Sequence, residues 1–392
     1  MIANPNVRVI SQKNARGRET HLRIEAPVKG VGLSISQIDA SSDHAFLRVA
    51  LPIINGQLNL KPMALAQRKA LAAVGLLVEK SQVSAEQRLS CELEPLLDPV
   101  SSALTIAPSV YLETRGRIPR AFAHRNLFVD GLDFSGPTLW VEHPATQIVF
   151  PFRVPTRWVR QIARLLSGDL LPAALPENLR SALLSANVLI GHQGARAQVR
   201  LRNRLGGELR ERIKSQGFTL GYDFGLPPLM LRALQAHYRA LADEGWFQPT
   251  CRQSPRRMII HNEAASSFLH RQMGHLISTV MGERWAPSYC FLARYRPGAT
   301  LERHLDRSQC GISISLQIEQ TRTRRRAWPL EIAPASNRRG KARTVPVRLV
   351  DGEALIFQGT NLAHSRGRLK ARSTATYLFL HFVRHGFRGG LD

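Results

Sequence analysis

Residues Tyr289–Asp306 read YCFLARYRPGATLERHLD, and this stretch decides how the C-terminal half of the chain is understood. Its first part is a short, mostly apolar run that reads as a strand, up to Pro297 and Gly298. Gly298 allows the chain to turn into a second short strand that ends in His304-Leu305-Asp306. Residues two apart on a strand project to the same side, so one imidazole and one carboxylate can grip a single metal ion. By the same parity Tyr289 and Tyr295 share a face upstream. The candidate third ligand is His364, in DGEALIFQGTNLAHSRG. A plainer reading has His304 as a surface histidine salt-bridged to Asp306, and His364 as a loop histidine beside an arginine cluster.

Two histidines and one carboxylate on one octahedral face leave three positions open, the arrangement used by non-heme Fe(II) oxygenases. Eight residues past His364 comes Arg372, followed by Thr374 in RSTATYLFLHFV. They are i and i+2 and so share one face of the last strand, where a guanidinium and a hydroxyl fit the distal carboxylate of a dicarboxylate cosubstrate. A tyrosine hydroxyl from Tyr289 or Tyr295 could complete that site. Arg366, Arg368 and Lys370 lie nearby and compete for the role of Arg372.

The C-terminal region resembles the Fe(II)/2-oxoglutarate-dependent dioxygenases of the prolyl 4-hydroxylase-like superfamily. The resemblance runs over about 285–384, through RYRPGATLERHLDRSQCGISISLQIE, VRLVDGEALIFQG, NLAH and RST. It implies a double-stranded β-helix, or jelly roll, with iron on His304, Asp306 and His364. It further implies 2-oxoglutarate on Arg372, supported by Thr374, Tyr295 and Tyr289, with O2 as the third reactant. The retained Asp306 favours hydroxylation over halogenation, since related halogenases lack that carboxylate. The spacing from His364 to Arg372 is a little short for prolyl hydroxylases. The substrate expected first is a peptide or protein side chain or an amino-acid-like small molecule. Oxidative demethylation of nucleic acid is the alternative, and a non-catalytic nucleic-acid- or peptide-binding protein with a relic iron site is a third reading.

Working outward, helical patterns at 227–244 and 263–282 precede the strands, so 217–392 reads as an α+β dioxygenase domain with supporting helices. Residues 1–200 read as a mixed α/β recognition or scaffold module with no catalytic constellation of its own. Strands are expected in LRIEAPVKGVGLSIS, AFLRVALPI, SALTIAPSVYLE, NLFVDGLDF, PTLWVEH and TQIVFPF. Helices are expected at 61–78, in RWVRQIARLLSG and at about 175–187. Arg68–Val78 (RKALAAVGLLV) resembles Arg180–Ile190 (RSALLSANVLI), with Gly75 or Asn187 where a left-handed cap would sit. Helix, cap and short strand suggests winged-helix-like units. The arginine-dense stretch 196–216 is the expected boundary, itself partly helical.

The 392 residues carry 54 basic and 29 acidic side chains, a formal +25. Residues 1–200 hold 23 and 15 of these (+8), and residues 201–392 hold 31 and 14 (+17). The segment 321–350 sets nine basic residues against Glu331. Such a field attracts anionic partners, nucleic acid among them. The composition is 44% hydrophobic, which excludes a disordered chain. Cys91, Cys251, Cys290 and Cys310 form no CxxC pair, so a disulfide scaffold and a cysteine-rich zinc site are not expected. The N-terminus lacks an apolar signal core, and no apolar run reaches the roughly 18 residues of a membrane span. A cytoplasmic protein is expected.

Other polar residues read as structural: His261, His270 and His275 in or near a helix, and Ser313 and Ser315 on one strand face. Trp328-Pro329 reads as a strand entry. His381 is expected to point away from the iron, opposite Arg372. No GxSxG or phosphate-binding glycine loop occurs.

Overall fold

The structure is a computed structural model. It describes residues 2–3, 8–13, 19–28, 32–39, 46, 48, 50, 64–74, 76–78, 88–97, 103–125, 127–219, 222–223, 225–249, 254–321, 327–333 and 344–389. These fall into two compact units: 1–87 with 238–249 and 388–392, and 88–237 with 250–387. The division differs from a boundary near 200.

In the smaller unit, Arg8–Lys13, Glu19–Val28 and Gly32–Asp39 form an antiparallel sheet in that order. Ile24 and Ile38 are buried. A helix spans Leu65–Ala73, and Leu77–Val78 pairs with Ile2–Ala3. The expected cap at Gly75 and most of AFLRVALPI lie outside the described residues.

The larger unit opens with an antiparallel sheet of β1 (Val110–Glu113), β2 (Thr138–Glu142) and β3 (Val149–Arg153). Trp140 and Val149 pack with Phe122 to form its core. NLFVDGLDF contributes no strand, only a bridge from Leu132 to Leu89. Helix α1 (Thr156–Leu166) buries Trp158, Ile162 and Leu165 at helical spacing. Helix α2 (Glu177–Ser185) ends before Asn187, whose φ of 57° is the left-handed cap read from the sequence. The strand that follows, Leu189–Gly191, pairs with Leu104–Ile106 and runs directly into the next helix. A winged helix needs a hairpin there, so the described residues give no support to that expectation.

The stretch 196–216 is helical throughout, which extends the partly helical character expected of it: His192–Asn203, one π turn at Arg204–Glu208, then Leu209–Gln216. Leu201, Leu205, Leu209 and Ile213 are all buried, four residues apart. Dense arginine between them hid that apolar stripe.

The strand-rich region begins with β4 (Arg257–His261), helix α3 (Ala264–Met281) and β5 (Trp285–Tyr295). It continues through β6 (Leu301–His304), β7 (Ile312–Gln320), β8 (Leu330–Ala333) and β9 (Val345–Val347). It ends with β10 (Glu353–Phe357), β11 (Ala363–Arg366) and β12 (Ala375–Arg384). One antiparallel sheet runs β10-β7-β12-β5-β4, and the other runs β6-β11-β8-β9. From β5 onward the chain passes back and forth between the two sheets. Their facing side chains form one core, with Tyr295, Leu355, Phe357, Tyr377 and Phe379 from the first sheet and Leu301, Leu330, Ile332 and Val347 from the second. This is the expected jelly roll. Each such side chain stabilises the fold by about 1.5–3 kcal/mol through burial.

Strand β12 is buried on both faces. Tyr377, Phe379 and His381 face the interior, and Phe382 meets α3 through an edge-on contact with His270 at 4.9 Å. Helix α3 starts where Glu263 accepts the N–H groups of Ala265 and Ser266, and ends at Gly282 with φ 75°. On its outer side Gln272 accepts from Val149 N–H of β3 at 2.8 Å. The helix therefore ties the β1–β3 sheet to the jelly roll. Among the described residues no helix is long and apolar enough to cross a membrane. Cys91, Cys290 and Cys310 are free and buried.

Candidate metal centre

Strands β6 and β11 are antiparallel, and their register sets His304 directly opposite His364. Cross-strand partners stand close enough to share a ligand. Their ring centroids are 4.3 Å apart. Asp306 lies just past the end of β6, with its N–H donating to Gly359 O at 3.0 Å. Its Oδ1 is 3.6 Å from His304 Nε2 and 3.5 Å from His364 Nε2. The three ligand atoms all lie within 4.8 Å of one another, close enough to hold one ion. The structure thus brings together the three residues read from the sequence.

The second nitrogens fix the rings. Nδ1 of His304 donates to Glu302 O at 2.8 Å, and Nδ1 of His364 to Leu362 O at 2.9 Å. That tautomer leaves each Nε2 with its lone pair toward Asp306, as a metal ligand requires. Burial, and then the neighbouring ring of His364, hold His304 below the usual histidine range, which keeps it neutral. For Asp306 burial acts upward. It is outweighed by the polar groups around it, the His364 ring first, then His381 and the Ser313 hydroxyl, and the carboxyl sits at about 2. Two imidazoles and one carboxylate are the donor set suited to Fe(II).

The arginine is not where the last-strand reading put it. Arg372 is exposed, in a turn, with φ 60°. Strand β12 begins only at Ala375, so Arg372 and Thr374 lack the strand parity that joined them. Thr374 instead pairs with Thr321. Arg368 and Lys370 are also exposed. The buried arginine is Arg366, two residues beyond His364 on β11 and 2% accessible. Its Nη1 donates to Trp328 O at 2.8 Å and to Tyr377 Oη at 3.1 Å. Its guanidinium lies 4.1 Å from the Tyr377 ring centre and 5.0 Å from that of Trp328. Arg366 Nε and Nη2 are buried and have no hydrogen-bond partner, as are Tyr295 Oη and Ser315 Oγ. Tyr295 packs edge-on to the same two rings, Trp328 at 4.9 Å and Tyr377 at 6.1 Å. A cation, a phenol and a serine hydroxyl with unmet hydrogen-bonding capacity suit an anionic ligand such as a carboxylate. The i, i+2 spacing sets Arg366 about 7 Å along the strand from His364, the length scale of a short dicarboxylate.

Tyr289 sits at the other end of β5. Its hydroxyl meets Cys310 Sγ at 3.1 Å, and its ring lies 4.6 Å from His381. His381 faces the interior, contrary to expectation, because the reference residue Arg372 is not on the strand. Its Nδ1 is 2.9 Å from Ser313 Oγ, which donates to Asp306 Oδ2 at 2.8 Å. Phe291 stacks on Phe379 at 4.8 Å and on His381 at 5.6 Å, with His261 tilted against it. Arg257 and Arg307 lie over Phe291 and Tyr289. This aromatic shelf with two flanking cations borders the metal ligands. Trp328 is buried at the entry to β8, as expected. Most of the arginine-rich loop after β7 lies outside the described residues.

Sequence reasoning held Arg366 only as a rival to Arg372 and turned His381 away from the site, although strand parity bears on both. Arg366 shares a face with His364, and His381 shares one with Tyr377 and Phe379.

No known family profile matches the sequence, and no curated protein does. The fold is similar to several solved structures over the C-terminal region. A Pseudomonas putida prolyl-4-hydroxylase is 22% identical, covering 46% of this chain and 100% of that one, with a TM-score of 0.38. A Trichoplax adhaerens prolyl hydroxylase in complex with a hypoxia inducible factor peptide fragment is 15% identical, covering 47% and 92%, with a TM-score of 0.40. The epimerase SnoN in complex with Fe3+, alpha ketoglutarate and nogalamycin RO is 10% identical, covering 45% and 82%, with a TM-score of 0.37.

Proposed function

We propose that residues 217–392 carry an Fe(II)- and 2-oxoglutarate-dependent oxygenase. Its reaction is hydroxylation of a peptide or protein side chain, or of an amino-acid-like small molecule. The observation that supports this most directly is the convergence of His304, Asp306 and His364 inside a jelly roll, with a buried arginine of unmet donors on the strand that carries His364. Bound at the triad, iron would supply the O2 activation that couples oxidative decarboxylation of 2-oxoglutarate to hydroxylation of a C–H bond.

The chain's own residues bind and orient. His304 and His364 present Nε2 from facing strands, and Asp306 presents Oδ1. Arg366, with Tyr295, is the anchor for the far carboxylate of 2-oxoglutarate, a role that moves here from Arg372. Leu301, Phe357 and Ile332 wall the interior and exclude water, which strengthens each charge-assisted contact. On the other side Phe291, Phe379 and Tyr289 offer a flat apolar surface to substrate. Arg257 and Arg307 favour a substrate with a carboxylate or another anionic group.

The test is anaerobic titration with Fe(II) and 2-oxoglutarate, then aerobic turnover of 2-oxoglutarate to succinate. Succinate formation that His304→Ala abolishes supports the proposal. Absence of both cosubstrate binding and turnover in the wild-type chain overturns it. A substrate screen scored for products heavier by one oxygen then identifies the acceptor.

A further inference from the structure

We infer that Ser313 and His381 are positioning residues that hold the Asp306 carboxylate in a one-oxygen, metal-facing orientation, through the relay His381 Nδ1–H to Ser313 Oγ–H to Asp306 Oδ2. The inference rests on the metal-centre reading above.

The three ligands are not equally constrained. Both histidines sit within paired strands and have their second ring nitrogen tied to a backbone carbonyl. Asp306 lies beyond the end of β6, and its backbone is fixed there by one bond to Gly359 O. Its carboxylate needs a separate device to keep Oδ1 toward the two Nε2 atoms. Ser313 provides it from the middle of the first sheet. It is fully buried on β7 and donates to Oδ2 at 2.8 Å.

The direction of the relay follows from proton counting. A carboxylate only accepts, and a serine hydroxyl has one proton. Ser313 gives that proton to Asp306, so its oxygen accepts from His381, and Nδ1 of His381 carries hydrogen at 2.9 Å. His381 is in turn held by its rings and its backbone. Tyr289 lies 4.6 Å away and Phe291 5.6 Å away, and His270 Nε2 donates to its carbonyl at 2.8 Å. The far wall is Gly359, where a Cβ would come 2.1 Å from Asp306 Oδ2 and 2.7 Å from Ser313 Oγ. The carboxylate is clamped between the hydroxyl and that glycine.

Asp306, Cys310 and His381 also form a second group of potential ligands. The relay reading assigns them hydrogen bonds instead, and the test separates the two readings.

The experiment is anaerobic calorimetry of Co(II) binding to the full-length chain, with the visible d–d bands of the bound ion as a second readout. The wild type is expected to take one Co(II) per chain. Removal of an outer partner of a ligand lowers metal affinity by about 10–100-fold, and Ser313→Ala is expected to fall in that range with altered d–d bands. His381→Phe keeps the ring stack and loses the donor. It is expected to weaken binding less, and to add nothing in the Ser313→Ala background, because His381 acts through Ser313. His381→Asn, which returns an N–H near the same place, should recover most of the affinity. Ser313→Ala deletes one oxygen and carries the test alone if the double variant does not fold. Ser313→Ala within twofold of wild type, while His304→Ala loses the ion, overturns the relay and leaves the metal centre standing. Full additivity of the two substitutions also overturns it. A stoichiometry of two, with one ion lost in Cys310→Ala, overturns it in favour of a second metal site. Co(II) binding indifferent to His304→Ala removes the metal-centre reading itself.

Discussion

Replacing Arg366 by methionine removes a charge from the interior of the jelly roll and keeps most of the side chain's length. Two opposing effects meet in the ligand-free protein. Trp328 O and Tyr377 Oη each lose a donor, at about 1–3 kcal/mol apiece. Against that, a buried cation with two unpartnered nitrogens is itself costly by several kcal/mol. The net change in stability is expected within about 2 kcal/mol of zero. Binding of 2-oxoglutarate behaves differently. Two hydrogen bonds from Nε and Nη2 to a carboxylate are each worth about 1.5–3 kcal/mol. Their loss weakens the cosubstrate by roughly 10²–10⁴-fold at 1.4 kcal/mol per decade. The assay is anaerobic calorimetry with Co(II) in place of iron, alongside thermal unfolding with and without 2-oxoglutarate. Wild type at about 100 times its Kd gains about 2.7 kcal/mol from the ligand, and Arg366→Met gains almost none. Arg366→Lys recovers little, because a point charge cannot reproduce the two-pronged contact. Arg372→Ala, at an exposed turn, leaves affinity unchanged. Retention of cosubstrate affinity in Arg366→Met, with loss in Arg372→Ala, would refute this assignment.

Three further outcomes are expected. Gly359→Ala forces a methyl group onto Asp306 Oδ2, the free end of a side chain. The carboxylate should rotate away, so Co(II) affinity falls at least tenfold while the unfolding temperature moves little, by calorimetry and circular dichroism on one sample. Gly131→Ala meets backbone instead, with a Cβ 2.4 Å from the Ala264 carbonyl carbon and the Ala265 nitrogen. It should cost about 3 kcal/mol or more, and retention of the wild-type melting temperature would contradict the observed packing of this loop on α3. Glu263 caps α3. Burial acts to raise its pKa, and His237 with the Ala265 and Ser266 donors overcomes that and sets it at about 2, below its ordinary 4.5. The carboxylate therefore contributes its full stability above pH 4.5, and that contribution fades as pH falls toward 2. Glu263→Gln should cost at most about 3 kcal/mol near neutral pH. The gap to wild type should close on acidification, as denaturant titrations between pH 3 and 7 would show.

The candidate triad was legible because its signal is local. His304 and Asp306 are two residues apart, so they stay neighbours even though β6 ends at His304 and Asp306 lies beyond it. The helices at Pro228–Asp243 and Ala264–Met281 were legible for a similar reason, being long and strongly periodic. Arg372 failed because its assignment needed the start of β12, and element boundaries are poorly fixed by sequence. Three residues separate Arg372 from Ala375, and they decide between a turn in solvent and a strand in the core. The helices at 192–216 were legible only in part, and their buried stripe was hidden by composition. Arginine on the exposed faces masked Leu201, Leu205, Leu209 and Ile213. The role of His381 was unreadable because it depends on Ser313, 68 positions away, brought alongside by β7–β12 pairing.

Strand β11 is four residues long and carries both His364 and Arg366. Whatever shifts one shifts the other. A single residue inserted between Leu362 and Ala363, or a slip of one position against β6 and β8, would turn both side chains outward together. Loss of the ion and loss of the organic acid would then arrive as a single all-or-none lesion. Screens that score the two separately should find insertion variants at this strand among the few that are blind to both.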